Sequence, residues 1–91
     1  MLVLSSLAGG PKHGYAVIQD IEAFAGVTLG PGTLYSCVAR LEAQGLVTAV
    51  ASDDRRRPYR LTAAGATALR RRLEEAQTVA RVGLTRLGGA G

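Results

Sequence analysis

The chain has no tryptophan, one phenylalanine and three tyrosines, so any core it builds must be aliphatic. A single cysteine, Cys37, excludes an intramolecular disulfide and suits a reducing cytoplasm. The only histidine, His13, together with that one cysteine cannot furnish a multi-His/Cys zinc site. No apolar run approaches the ~20 residues needed to cross a bilayer. The opening MLVLSSLAGG has no basic segment ahead of its apolar stretch, so it does not read as a signal peptide. There is no nucleophile–base pair with a supporting pattern, and the adjacent carboxylates Asp53 and Asp54 fall in a turn where solvation explains them. GVTLGPGT lacks the lysine of a phosphate-binding loop and reads as a turn and a cap. These gaps argue against an enzyme, a metal site and a cofactor.

What remains is 91 residues, 47% hydrophobic, with a formal net charge of +4 and a pI near 10. That is one small domain, near the size where a single core gives modest stability and a partner subunit often adds to it. The basic excess suits a polyanion or an anionic membrane surface.

Leu2, Val3, Leu4 and Leu7 read as the last turns of a helix stopped by Gly9-Gly10-Pro11. From His13 to Ala25 the apolar residues Val17, Ile18, Ile21, Phe24 and Ala25 recur at helical spacing, which predicts one buried stripe. Val27 to Leu29, between two glycines, reads as a very short strand. Gly30 as N-cap and Pro31 in the first turn open the next helix, and Gly45 closes it. Leu34, Val38 and Leu41 face inward, with Cys37 beside them as a small apolar residue. The opposite face carries Thr33, Tyr35, Ser36, Ala39, Arg40 and Ala43. A face so small and polar can approach another molecule closely.

Leu46 to Ala51 is rich in β-branched residues, SDDRRR is a charged turn, and Tyr59-Arg60-Leu61 alternates as a strand does, which predicts a β-hairpin. Thr62 is the N-cap of a final helix, in which Leu69, Leu73, Ala76, Ala80, Leu84 and Leu87 follow near-heptad spacing. Arg70, Arg71, Glu74, Glu75, Gln77 and Arg81 lie opposite that seam. A seam on a helix projecting from a small domain calls for a partner. The GGAG tail is expected to fray.

The expected architecture is therefore mainly α with a small β-hairpin: a winged helix-turn-helix over 1–62, a long helix over 63–87 that serves dimerisation, and a flexible tail over 88–91. In such an arrangement the second helix of the pair is narrow enough for the DNA major groove, and the hairpin reaches backbone or minor groove beside it. Order alone does not separate this from a small helical domain whose hairpin does nothing.

GPKHGYAVIQDIE, GPGTLYSCVARLEAQGLV and RRRPYRLTAAG together resemble the PadR family of transcriptional regulators in motif, spacing and order, over about Leu2 to Arg81. The length and single C-terminal helix are similar to its short subgroup. The resemblance implies a cytoplasmic, dimeric DNA-binding repressor. It places Thr33, Tyr35, Ser36 and Arg40 on the recognition helix, Lys12 and Tyr15 at the entry to the preceding helix, and Arg55, Arg56 and Arg57 at the wing tip, all toward DNA. It gives Leu2, Leu69, Leu73, Ala76, Ala80, Leu84 and Leu87 to dimerisation, and it allows a small-molecule effector of unspecified chemistry. Family members usually carry several more residues ahead of the first apolar run, and Gly30 stands where they commonly have serine. Some short members bind flat aromatic drugs between interface tryptophans; without tryptophan that mode is not expected. The rival reading is a winged-helix protein–protein interaction module without specific DNA binding.

Overall fold

The computed structural model describes residues 1–51 and 57–89. The order is α1 (Leu2–Ala8), α2 (Gly14–Ala25), α3 (Pro31–Ala43), β1 (Val47–Ala49), β2 (Tyr59–Leu61) and α4 (Ala63–Gly89), a winged helix-turn-helix with a long C-terminal helix. The helix ends are set by local chemistry. Gly9 and Gly10 close α1, with Gly10 at φ +133. At the end of α3, Gly45 takes the left-handed conformation at φ +75. Its N–H donates to the Glu42 carbonyl at 2.9 Å, and the Leu46 N–H reaches back to Leu41 O at 3.0 Å. This pair of bonds is the Schellman pattern, which satisfies carbonyls the helix leaves without partners. At the start of α4 the Gly65 N–H donates to Thr62 Oγ1 at 3.0 Å, while that hydroxyl donates to Gly45 O at 2.7 Å. Thr62 thus caps α4 and ties it to the end of α3.

β1 and β2 pair antiparallel with Val47 opposite Leu61, Thr48 opposite Arg60 and Ala49 opposite Tyr59. The other edge of β2 is taken by Lys12, whose N–H donates to Tyr59 O at 3.0 Å and whose carbonyl accepts from Tyr59 N at 2.8 Å. Val27–Leu29, expected as a strand, joins no sheet among the described residues. The helix α4 extends to Gly89, and the last two residues of the tail expected over 88–91 lie outside the described residues.

The core is aliphatic throughout: Val3, Leu4 and Leu7 of α1, Val17 and Ile21 of α2, Leu34, Val38 and Leu41 of α3, Val47 of β1 and Leu69 of α4. Ile18 packs against its edge. Phe24 was expected inside but is half exposed, since it lies in the last turn of α2 where no element covers it. Buried Ser6 donates to Asp20 Oδ2 at 2.6 Å, joining α1 to α2.

Only the first turns of α4 belong to this core. Gly65 and Leu69 are buried and every described residue from 70 onward is exposed. The radius of gyration is 15.4 Å, against about 12 Å for a compact chain of this length. The excess comes from the overhanging helix.

Candidate nucleic-acid interface

The recognition candidate is α3, seated by Leu34, Val38 and Leu41, all buried. Their spacing turns Thr33, Tyr35, Ser36, Ala39, Arg40 and Ala43 outward, and all six are exposed. Cys37 lies at the margin, half-buried, and lines a groove of about 700 Å³ with Leu2, Leu29, Thr33, Ser36 and Arg40. Tyr35 leans toward α2: a Cβ on Gly14 would stand 2.6 Å from the Tyr35 hydroxyl and 2.9 Å from two ring carbons. Gly14 therefore leaves the space the ring occupies. The HGY and PGTLY stretches meet at this point.

Tyr15, in the first turn of α2, is 67% exposed, which places it at the surface and not in the core. Lys12 is turned inward. Its ammonium donates to the carbonyls of Ser6 and Gly10, placing a cation on the C-terminal end of α1, where the helix dipole favours one. The neighbouring His13 Nδ1 is buried without a hydrogen-bond partner among the described residues.

On the wing, Arg57 and Arg60 are exposed. Arg60 points away from the core face that Tyr59 and Leu61 share, as strand alternation requires. It was not among the residues expected to meet DNA, although the Tyr59-Arg60-Leu61 alternation already carried that signal. Arg55 and Arg56 lie outside the described residues. The half-buried Tyr59 phenol is held above its ordinary range by burial first, then by Glu42 and Tyr35, with Arg57 opposing.

The dimerisation candidates divide. Leu69 is buried in the chain's own core and Leu2 is half-buried against it, so neither offers much free surface. Leu73, Ala76, Ala80, Leu84 and Leu87 are exposed, with Leu84 at 69% and Leu87 at 77%. At the root of the overhang, Leu61, Leu69 and Leu73 line a groove of about 460 Å³ that Arg70, Glu74 and Gln77 also border. No helix is long and apolar enough to cross a membrane, and no group of three or more potential metal ligands occurs among the described residues.

Residues 3–71 match the family described as the transcriptional regulator PadR-like family. The chain is 40% identical over 79 residues to transcriptional regulator Rv3488 of Mycobacterium tuberculosis, covering 80% of this chain and 73% of that protein. It is 50% identical over 82 residues to an uncharacterized 37.1 kDa protein in transposon TN4556 of Streptomyces fradiae, covering 90% of this chain but 23% of the length of that relative. Among solved structures, a PadR family transcriptional regulator from Eggerthella lenta superposes with a TM-score of 0.72 at 32% identity, over 94% of this chain and 80% of that one.

Proposed function

The chain belongs to the PadR-like family of transcriptional regulators, a family of regulators and not of enzymes, and from that premise we propose that it is a homodimeric, sequence-specific repressor acting in the cytoplasm on a near-palindromic operator. The observation that carries this reading is the outward face of α3. It is backed by three buried aliphatic residues and exposes Thr33, Ser36, Ala39 and Ala43, all small, with the Arg40 guanidinium and a half-exposed Tyr35. Thr33 and Ser36 are short enough to let the helix backbone approach base edges. Arg40 has the reach and the planar fork for a phosphate or a guanine edge. Tyr35 and Tyr15 offer phenolic hydroxyls to phosphate oxygens. The wing arginines, Arg57 with Arg55 and Arg56, supply affinity without sequence choice, and Arg60 joins them. Lys12 contributes charge near the entry to α2, although its ammonium is engaged with α1.

The free seam Leu73, Ala76, Ala80, Leu84 and Leu87 pairs with that of a second copy, while Leu69 and Leu2 stay packed in and against the chain's own core. Two recognition helices would then enter major grooves about one helical turn, ~34 Å, apart. A small-molecule effector, where one acts, would change the angle between the two heads. Selection of bound duplexes from random DNA, followed by anisotropy against salt, tests the reading. Enrichment of a two-fold-symmetric site is expected, with affinity falling steeply as salt rises. Weak binding indifferent to sequence would overturn it in favour of a protein-interaction module. Leu84→Glu with Leu87→Glu is expected to give a folded monomer by light scattering, and an unchanged mass would remove the seam from the interface.

A further inference from the structure

Gly10, Gly26 and Gly45 stand where the backbone needs a positive φ. Gly14, the first residue of α2, is not among them, so its backbone is one that alanine adopts readily. What it supplies is space. The three atoms nearest a Cβ placed there all belong to Tyr35 of α3: the hydroxyl oxygen at 2.6 Å, and Cε1 and Cζ of the ring at 2.9 Å. Neither backbone is free to retreat from such a contact. On the α2 side, Gly14 is buried, Lys12 two residues earlier is hydrogen-bonded to Tyr59 through both backbone groups, and Val17 is buried one turn on. On the α3 side, the buried Leu34 and Val38 anchor the helix on either side of Tyr35. The half-exposed tyrosine ring is the part that can move. Gly65 differs, since a Cβ there would meet the backbone carbonyl of Leu46.

We infer that Gly14 is a positioning residue for DNA binding: the gap it leaves at the start of α2 seats the Tyr35 ring and so sets where the Tyr35 hydroxyl stands between α2 and α3. Gly14 does not itself touch DNA; it acts through Tyr35. This rests on the DNA-binding reading above, in which that hydroxyl meets a phosphate oxygen, and adds to it the residue that fixes the hydroxyl in place. Magnitudes make the seat matter. Restoring the 3.4 Å of ordinary contact with a Cβ moves the hydroxyl by about 0.8 Å, or drives the ring into another rotamer. An O–H···O bond spans only ~2.5–3.0 Å. A hydroxyl displaced that far loses its phosphate while the helices keep their places.

The test is a double-mutant cycle on the full chain, read by anisotropy of a labelled mixed-sequence duplex across a salt series, since a phosphate contact does not depend on sequence. Tyr35→Phe removes the hydroxyl and is expected to lower affinity roughly tenfold. The salt slope should stay as it is, because that slope counts phosphates neutralised by cations and a phenol is neutral. Gly14→Ala should give the same drop with the same slope, and should melt within roughly 5 °C of the parent. Added to Tyr35→Phe, it should cost less than roughly a further twofold, because the hydroxyl it displaces is already gone. Parent-like binding by either single variant would overturn the inference, as would multiplying defects in the double variant. A changed slope in Gly14→Ala would overturn it too, since the cationic contacts would then have moved as well. So would a Gly14→Ala melt below the assay temperature, because the ring would then not be the part that yields. A parent protein that binds no duplex would instead refute the DNA reading itself.

Discussion

Gly65→Ala sets two well-measured effects against each other. By helix propensity alone the change should stabilise α4, because alanine is favoured over glycine in a helix interior by ~0.8–1.0 kcal/mol. The packing says otherwise. A Cβ at Gly65 would stand 2.0 Å from the Leu46 carbonyl oxygen and 2.9 Å from Leu61 Cδ1. Reaching the 3.4 Å of ordinary contact requires about 1.4 Å of movement against backbone, not against a flexible side-chain end. The same carbonyl accepts the Thr62 N–H at 3.1 Å, so pushing it away weakens that bond as well. Overpacking of this kind costs ~1–3 kcal/mol, and losing the hydrogen bond costs about 1 kcal/mol more. After the propensity gain, a net loss of about 1–3 kcal/mol is expected, or roughly 5–20 °C in Tm for a domain of this size. Helical circular dichroism on heating, at one fixed protein concentration because a dimer melts in a concentration-dependent way, measures it. Gly32→Ala is the control, since nothing lies within 4 Å of a Cβ there, and it should gain about 0.4–1 kcal/mol. A Gly65→Ala melt at or above the parent value would refute the close-approach argument.

Thr62→Ala removes the cap of α4 and the hydroxyl bond to Gly45, and should cost about 1–2 kcal/mol in urea denaturation, with Thr62→Ser recovering most of it. Lys12→Met should cost about 1–3 kcal/mol by the same assay because it strips a charged donor from the end of α1; unchanged stability would mean the ammonium lies in solvent. Tyr59 gives an alkaline prediction. Its folded value lies above the ordinary ~10, so its contribution is fully present below that pH and is lost as pH rises through the folded value. The parent Tm should therefore decline above about pH 10 more steeply than that of Tyr59→Phe, and identical alkaline limbs would contradict the assigned environment.

Features written into adjacent residues were legible from the sequence. Pro31, Gly45 and Thr62 mark their helix ends because caps and breakers act over three or four residues. The inward Leu34, Val38 and Leu41, and with them the outward Thr33, Ser36 and Arg40, follow from helical spacing. Periodicity gives direction but not cover. Phe24 shares the stripe of Ile21 yet ends exposed, and Leu69 shares the seam of Leu73 yet is buried in the head. The remaining features need partners far apart in the chain. Lys12 looks like a free cation until α1 and β2 close around it. Gly14 and Gly65 look like ordinary helix breakers until Tyr35 and Leu46 are placed against them.

The basic balance of the chain also changes meaning once it is placed on the fold. Residues 1–62 hold six cations against five carboxylates, whereas 63–91 hold five arginines against Glu74 and Glu75. Most of the net +4 thus sits on α4 and not on the helix-turn-helix head. A nearly neutral head attracts DNA only through local asymmetry. Asp20 contributes to that asymmetry by directing its carboxylate onto Ser6, while Arg40, Arg57 and Arg60 stay exposed. The positive α4 works against pairing with a copy of itself, and magnitudes decide the contest. Exposed like charges cost tenths to about 1 kcal/mol per pair and are screened beyond ~8 Å at physiological salt. Burying Leu84 and Leu87 returns up to ~1.5–3 kcal/mol each, and the already partly covered Leu73 less. On the proposed pairing of two copies, the apolar seam outweighs this repulsion. Raising salt should then tighten the α4 pair while it loosens the grip on DNA, so the two associations respond to ionic strength with opposite sign.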